Sequence, residues 1–345
     1  RLIVLRAVPR SGLVNALAWL TVPALMGPVM GPPLGGYITT YWDWRWIFWI
    51  NIPIAIVGVV LAHRFIPDLR ESEVRRFDAL GFLLLGPGLA GFLTGATLLG
   101  LSLATPALVA MLILGGLALI AGYVRHALRV EKPLVDLRLL TLPTFRISVT
   151  AGTLFRVGVG ALPFLLPLML QLGFGLNPFQ SGMLTFVSGM GALVMKFLAQ
   201  PLLRRFGFRR VLSLNAMLSA AFILLPAFFT PQTPWLWMAG VLFLGGLSRS
   251  LQFTSINAIA YADVPSERLS SATSFSAVMQ QLSGSIGITL AAMGLESLGW
   301  LRSGSAVDLA NFPWIFSAIA AAAVGASLLF ARISPQAGAV LVTRS

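Results

Sequence analysis

The sequence predicts an all-α integral membrane protein, a bundle of about ten transmembrane helices. Of its 345 residues 57% are hydrophobic and only 10% are charged, which is too little charge to cover a water-soluble surface of this size. Its apolar runs repeatedly approach or exceed the roughly 20 residues that a helix needs to cross a hydrocarbon core. Its cations also collect in alternate loops, as the loops of membrane proteins require.

Ten apolar runs lie between Pro, Gly and charged residues, and each is long enough for one crossing. The predicted spans are 13–39, 45–66, 79–99, 105–123, 144–172, 179–202, 209–229, 234–260, 270–298 and 313–332. Glycine and proline inside some of these runs are tolerated in a membrane, where neighbouring helices satisfy the freed backbone groups.

The Lys and Arg residues fix the predicted orientation of the spans. Of 24 such residues, nineteen fall on one side, Arg45 and Arg302 fall on the other, and three fall inside spans. Positively charged loops stay in the cytoplasm, so both ends of the chain are predicted to be cytoplasmic, in a bacterial inner membrane. The net charge of +13 is then explained by this topology and by anionic lipid headgroups, and a nucleic-acid partner is not expected.

Enzymatic chemistry is not expected from the side chains available. The chain has no Cys, and its two His residues, His63 and His126, lie at predicted cytoplasmic span ends. No H-E-x-x-H or G-x-S-x-G run occurs. A metal site, a cofactor and a membrane-embedded catalytic set are therefore not predicted. The chain begins with Arg and shows no signal peptide, so we expect it to be a piece of a longer protein.

The first predicted span carries a run of glycine and proline, GPVMGPPLGG. Its distinctive residues are Gly27, Pro28, Gly31, Pro32, Gly35 and Gly36. Three of the glycines, Gly27, Gly31 and Gly35, recur every four residues and form one stripe without side chains. Such a stripe predicts a kinked helix that packs closely against another helix.

This run, followed by YWDWRWIFWINIP, resembles the antiporter motif of the fifth helix of major facilitator drug:proton antiporters and the start of their sixth helix. The stretch from Trp44 to Pro53 is most similar to the fourteen-span, EmrB/QacA-type branch. The resemblance implies that the motif shapes the interface between two helical halves and keeps it closed to protons. It also implies four further helices before Arg1.

The same resemblance implies three units. Residues 1–66 would end the N-terminal half, 67–140 would hold two linker helices, and 141–345 would form a C-terminal half of six helices. The run from Leu203 to Arg210 resembles the family's degenerate cytoplasmic loop. The loop residues are Arg205, Gly207, Arg209 and Arg210. An ordinary positively charged cytoplasmic loop explains the same residues equally well.

Three cations lie inside predicted spans, where an unpaired charge is costly unless it faces a wet or paired interior. Arg249 and Gln252 resemble an Arg-x-x-Gln motif of the family, and with Asn257 they are predicted to share a helix face that lines a cavity. A structural hydrogen-bond anchor is the alternative. Arg156 is a second candidate for substrate or proton handling, with snorkelling to the interface as its alternative, and Lys196 is a weaker one.

The ninth span carries a polar stretch that includes Gln280 and Gln281, interrupted by glycines. Paired interrupted helices in two repeats point to a transport site, and Gln281 is therefore a candidate for the cavity. Glycine and serine packing between helices is the alternative. The acidic residues fall in loops or near span ends, so a proton-carrying carboxylate is expected upstream of this chain, with Glu296 as the local candidate.

Taken together, these features predict a secondary transporter that exports small molecules by alternating access. The proton gradient would be its energy source, without a cofactor, and its substrates would be amphipathic or cationic drug-like molecules. Membrane lipid is an expected neighbour, and a periplasmic adaptor with an outer-membrane channel is an expected partner. The alternatives are an exporter of a siderophore, lipid-like metabolite or amino acid, and a membrane subunit without transport activity.

Overall fold

A computed structural model describes Gly27 and residues 29–65, 78–101, 104–131, 133–265, 268–303 and 308–338. The regular secondary structure of these residues is helical throughout. The predictions for Pro28, for Lys132 and for the start of the first span lie outside the described residues. The fold is otherwise the all-α bundle that the sequence predicts.

The main helices follow the chain as α1 to α11. They are α1 (29–41), α2 (Trp46–Trp49), α3 (Asn51–Phe65), α4 (Ala79–Leu101), α5 (Pro106–Ala127), α6 (Pro143–Gly160), α7 (Leu162–Leu168), α8 (Pro178–Leu224), α9 (Trp235–Ile259), α10 (Leu269–Leu298) and α11 (Phe312–Phe330). Pro106, Pro143 and Pro178 each begin a helix, because the first turn needs no backbone N–H. Short π-helical turns extend α7 and α10, at Met169–Gly173 and Gly299–Ser303.

Six helical segments of the described chain are long and apolar enough to cross a membrane. They are Trp46–Phe65, Ala79–Leu99, Pro106–Ala127, Pro143–Gly173, Pro178–Phe228 and Leu309–Phe330. The fifth of these is 51 residues long and contains two of the predicted spans, 179–202 and 209–229. Helices α9 and α10, of 25 and 30 residues, match two further predicted spans but contain more polar residues and are not among the six.

Gly207 breaks α8 into two helices joined by a single residue. Its backbone has φ 73° and ψ 162°, a conformation that is essentially open only to glycine. The chain therefore reverses sharply between two long apolar helices. The predicted boundary between spans at this point is confirmed by the kink.

The apolar core lies among α6, α8, α9 and α11. Phe155, Leu184, Leu212 and Phe316 are fully buried in it. A second, smaller core joins α5 and the segment after it to α6 and α10, where the rings of Phe145 and Phe275 meet edge to face with centroids 5.3 Å apart. These cores hold the helices that carry the polar residues of interest at fixed positions.

Helix α3 has no buried residue, although it is apolar over its whole length. Exposed side chains include Ile54, Val59 and Phe65. An apolar surface of this extent is costly in water but is the ordinary surface of a helix in lipid. The helix therefore supports the membrane location that the composition predicts.

Helices α4 and α5 form a hairpin that lies against α10. The two helices approach closely at glycines, since a Cβ at Gly91 would lie 3.3 Å from the carbonyl oxygen of Leu112. The hydroxyl groups of Thr97 and Thr289 lie 3.3 Å apart and join α4 to α10. The two helices, Ala79–Leu101 and Pro106–Ala127, fall within the stretch 67–140, for which two linker helices are predicted.

Candidate functional site

Helix α1 lies directly against the first part of α8. A Cβ at Gly36 would collide with the carbonyl oxygen of Pro178 and lie 2.9 Å from the Cα of Phe179. In the same way, a Cβ at Gly182 would collide with the carbonyl oxygen of Pro32. The two backbones therefore touch through glycine on both sides, as small residues allow between membrane helices.

The predicted glycine stripe does not make this contact with α8. Among the described residues, a Cβ at Gly27 or Gly31 would meet no atom within 4 Å, and one at Gly35 would meet only the end of the Ile47 side chain at 3.9 Å. Gly36, one residue beyond the stripe, makes the contact. Spacing identifies a face without side chains, but the position of α8 decides which face is covered.

A cavity of about 360 Å³ lies beside this contact. It is bounded by α1, by the start of α8 and by the end of the α7 segment. Its lining includes Pro32, Gly35, Gln171 and Thr185. The motif residues thus border a space between helices from the two predicted halves.

Arg156, Asn257 and Gln280 come together from three helices. The Arg156 Nη2 group on α6 donates to Asn257 Oδ1 on α9 at 2.8 Å, and Gln280 Nε2 on α10 donates to the same oxygen at 3.0 Å. Arg156 is only 7% exposed, whereas Asn257 and Gln280 are exposed. The cluster is therefore a buried guanidinium whose partner lies on an open face of the bundle.

Two further cations join α8 to α9. Lys196 Nζ donates to Thr254 Oγ1 at 2.9 Å, and the guanidinium of Arg249 donates to the hydroxyl of Ser188. Arg249 is partly buried and Lys196 is exposed. All three cations that the sequence places inside spans therefore bind neutral oxygen atoms.

Gln252 does not share the open face with Asn257, contrary to the prediction. It is fully buried, accepting from Asn215 Nδ2 at 2.8 Å and donating to the Leu212 carbonyl oxygen at 3.0 Å. Asn215 also donates to the Ser248 carbonyl oxygen at 2.9 Å, and the hydroxyls of Ser219 and Ser248 lie 2.6 Å apart. Gln252 thus anchors α9 to the second part of α8, the structural alternative considered above.

In the polar stretch of α10, Gln281 is exposed while the glycines pack on another helix. Gln281 is exposed and its side chain has no hydrogen bond among the described residues. The glycines of the stretch pack closely on α6, because a Cβ at Gly287 would collide with the carbonyl oxygen of Val157, and one at Gly160 would lie 2.9 Å from the Gly284 Cα. Helix packing, the alternative for this stretch, therefore accounts for its glycines.

The residues of the predicted cytoplasmic loop surround the break in α8. Arg205, Arg209 and Arg210 are exposed, and the Arg205 guanidinium lies 5.6 Å from the centroid of the Phe206 ring. The sequence pattern anticipated this cluster, and Gly207 supplies the backbone conformation that the reversal needs.

Carboxylates are absent from the neighbourhood of the three cations in the described part of the chain. The ion pairs there are Arg45 with Asp43, at 3.3 Å, and His126 with Asp78, at 2.8 Å. Glu296, the local candidate for proton transfer, is exposed near the end of α10. The open face around Asn257 is therefore cationic.

Asp78 closes the α4–α5 hairpin at the end opposite its turn. Its carboxylate accepts from His126 Nε2 and from the backbone N–H groups of Gly81 and Leu134, at 2.8, 2.8 and 3.1 Å. Burial opposes ionisation of this carboxyl, but the hydrogen bonds from His126, Gly81 and Leu134 outweigh it and lower the pKa of Asp78 below its ordinary value. The sequence analysis did not predict these hydrogen bonds to Asp78, because His126 and Leu134 are far from it in the chain.

Residues 148–342, more than half of the chain, match a family described as the Major Facilitator Superfamily. The chain is also similar to bacterial proteins provisionally named multidrug resistance protein MdtD. It is 37% identical to that of Serratia proteamaculans over 301 residues, which cover 86% of this chain and 62% of the relative. It is 36% identical to that of Citrobacter koseri over 341 residues, covering 96% of this chain and 71% of the relative.

A similar protein of Salmonella paratyphi B is 35% identical over 339 residues, again covering 96% of this chain and 71% of the relative. The chain therefore spans 62 to 71% of the length of these three relatives.

Proposed function

Since this chain belongs to the major facilitator superfamily, we propose that the protein is a secondary transporter that exports small molecules by alternating access. The apolar helices, the close contact between α1 and α8 and the polar face of α6, α9 and α10 all support this function. The relatives' names support multidrug efflux as the form of that transport.

The observation that carries the proposal is the contact of Gly36 with Pro178 and of Gly182 with Pro32. Helix α1 belongs to the N-terminal half implied by the sequence and α8 to the C-terminal half. Alternating access requires two such halves to rock against each other around a central site. A contact made by backbone and glycine allows this tilt, since no interlocked side chains have to separate.

We place the energy source in the proton gradient, with no cofactor. Arg156 and Arg249 cannot carry protons by themselves at neutral pH, because arginine stays charged. We assign the coupling to a carboxylate upstream of this chain, with Glu296 as the local candidate. Retention of proton-driven efflux by Glu296→Gln in the full-length protein would assign the coupling to another carboxylate.

We further propose the fourteen-span branch of the family, in which the α4–α5 hairpin is the extra pair between the two halves. Both ends of this chain would then lie in the cytoplasm, with the protein in the bacterial inner membrane. Export across the outer membrane would use a periplasmic adaptor and an outer-membrane channel, which co-purification from crosslinked cells would identify.

Two substrate classes fit these features. The relatives' names favour a drug-like molecule that is amphipathic or cationic. The cationic side chains of α6, α8 and α9 favour an acidic metabolite as the second candidate.

Transport by the full-length protein in proteoliposomes tests the proposed function. An imposed proton gradient should drive accumulation of a fluorescent amphiphilic dye, and a protonophore should abolish it. The variant Gly36→Leu, in which a bulky side chain forces α1 away from α8, is the matched inactive control. Accumulation that is independent of the gradient, or absent from correctly inserted wild-type protein, would refute a proton-coupled exporter.

A further inference from the structure

Three cations of the C-terminal bundle lie along α9 and bind side chains on it or beside it. Arg156 from α6 reaches Asn257 at 2.8 Å, and Lys196 from α8 reaches Thr254 at 2.9 Å. Thr254 and Asn257 are three residues apart and therefore neighbours on the helix surface. Arg249, two turns from Asn257 on the same helix, donates to Ser188 of α8. We call Arg156, Lys196 and Arg249 the cationic face.

The charges of the cationic face are not neutralised within the described part of the chain. Each cation binds a neutral side-chain oxygen, and both ion pairs found there involve other residues. Positive charge at membrane depth is retained where it pairs with an anion or serves transport. Among the described residues the cationic face therefore has no anionic partner.

Arg156 has the donors to bind an anion. A guanidinium has five N–H groups in a planar fork, and the described structure gives Arg156 one hydrogen bond, to Asn257. The residue is also buried, with 7% of its surface exposed, so water replaces the missing acceptors poorly. The fork matches a carboxylate, sulfonate or phosphate, which accepts two parallel hydrogen bonds.

The neighbours of Arg156 hold it in position, and an aromatic side chain lies one turn along α9 from its hydrogen-bond partner. Gln280 donates to the same Asn257 oxygen at 3.0 Å and so fixes the amide that Arg156 uses. Phe253, one turn before Asn257 on α9, is partly exposed and packs edge to face on Phe155, with ring centroids 5.8 Å apart. An acidic group at Arg156 would place an attached apolar body beside Phe253.

We propose that the cationic face binds the acidic group of an anionic amphiphilic substrate. Arg156 receives the acid in its planar fork, while Lys196 and Arg249 attract it as nearby charges. A cationic molecule is repelled by the same three groups. This inference rests on the proposed function and names the substrate class of that transporter.

Two dyes with one ring skeleton and opposite charge test the proposal. Fluorescein is an anion at neutral pH, whereas a rhodamine methyl ester is a cation. Fluorescence polarisation with purified full-length protein in detergent measures binding of each dye without requiring transport. We expect fluorescein to bind and the rhodamine ester to bind about tenfold more weakly or less, as the loss of a charge-assisted contact implies.

Variants locate the binding. Arg156→Gln should weaken fluorescein binding about tenfold, and Lys196→Gln, at an exposed position that tolerates change, should weaken it about threefold. Arg156→Lys should restore part of the affinity because it keeps the charge but loses the fork. Arg129→Gln, at an exposed position after α5, removes the same charge outside the face and should leave binding unchanged.

The proposal is overturned if the rhodamine ester binds in preference to fluorescein, which would show that a carboxylate elsewhere in the protein neutralises the face. It is equally overturned if neither dye binds, or if Arg156→Gln and Lys196→Gln both bind fluorescein as the wild type does. Efflux of the rhodamine ester alone would leave the exporter function standing and refute this inference. Fluorescein binding without efflux of either dye would support this inference and refute the exporter function.

Discussion

Gly36 of α1 and Pro178 of α8 are in backbone contact, so that even a methyl group at position 36 would collide with the Pro178 carbonyl oxygen. Between these two residues there is no side chain to adjust. The contact therefore fixes how closely the two helices approach, and a substitution must move one backbone relative to the other.

We expect Gly36→Ala to lower efflux by about fivefold or more, since forcing a methyl group into a close contact costs about 1–3 kcal/mol. Initial rates in proteoliposomes, normalised to inserted protein, measure the effect. Gly31→Ala is the matched control, because its Cβ would meet no described atom within 4 Å. Equal losses for the two variants would show that the motif acts through its glycine content and not through this contact.

Gln252→Leu should destabilise the protein by about 1–2 kcal/mol, because a buried network of Asn215, Ser248 and Gln252 loses two hydrogen bonds. Thermal unfolding in detergent measures this loss. Affinity for transported dye should stay unchanged, since Gln252 is fully buried. Gln281→Leu, on the exposed face of α10, should leave the unfolding temperature unchanged. A Gln252→Leu variant with normal stability and altered dye affinity would show that Gln252 acts in substrate binding.

Asp78→Asn should lower the stability of the α4–α5 hairpin by about 1–3 kcal/mol at neutral pH, because the carboxylate accepts three hydrogen bonds and is 8% exposed. The lowered pKa of Asp78 stabilises the fold above the ordinary carboxyl pKa of about 3.9. That contribution is lost as the pH falls below this value towards the lowered pKa.

Limited proteolysis of the segment after α5, over a range of pH, measures the hairpin's stability. Wild type and Asp78→Asn should differ at neutral pH and converge in acid. Asp136→Asn, which removes an exposed carboxylate that caps the next turn, should have a smaller effect. A difference that persists unchanged in acid would exclude ionised Asp78 as its cause.

Gly207→Ala should cost about 1–3 kcal/mol, because φ 73° with ψ 162° is strained for any residue with a Cβ. Gly207→Asn should not restore stability, since asparagine favours a left-handed helical ψ that this position lacks. Gly240→Ala, at an open helical position in α9, should be neutral or slightly stabilising. Unfolding temperatures in detergent compare the three, and a stable Gly207→Ala would mean that the turn adopts another backbone conformation.

The proposed orientation can be tested with single cysteines, since the chain has none of its own. Arg205→Cys, beside the break in α8, should react with an impermeant maleimide only after cells are opened. Gln232→Cys, in the exposed turn before α9, should react in intact cells. The reverse pattern would invert the proposed topology.

The helices could be predicted because their signals are local. Prolines mark the first turns of α5, α6 and α8, and the apolar runs have the length of a crossing. Which face of each helix is buried could not be predicted equally well. Gln252 and Asn257 are five residues apart, which places them about 140° apart around a helix, so one faces α8 and the other the open side. A single helix cannot reveal which of its faces is covered.

The partners of the cations are a clearer example of what sequence leaves open. Arg156 and Lys196 are costly at membrane depth, and this cost predicts that each needs a partner. Asn257, however, is 101 residues away from Arg156 along the chain. Asn257 becomes the partner of Arg156 only because α6 packs against α9, and this packing is a property of the whole bundle.

A side chain of α1 accepts a hydrogen bond from the first turn of α8. The Phe179 N–H, one of the first-turn donors that a helix cannot satisfy itself, donates to Thr40 Oγ1 of α1 at 3.1 Å. If α1 moves away, this donor loses its acceptor, and water must replace it unless the N–H is left unsatisfied. Separation of α1 from α8 must therefore let water reach the contact between them. A conformation that excludes water from this contact must keep the two helices joined.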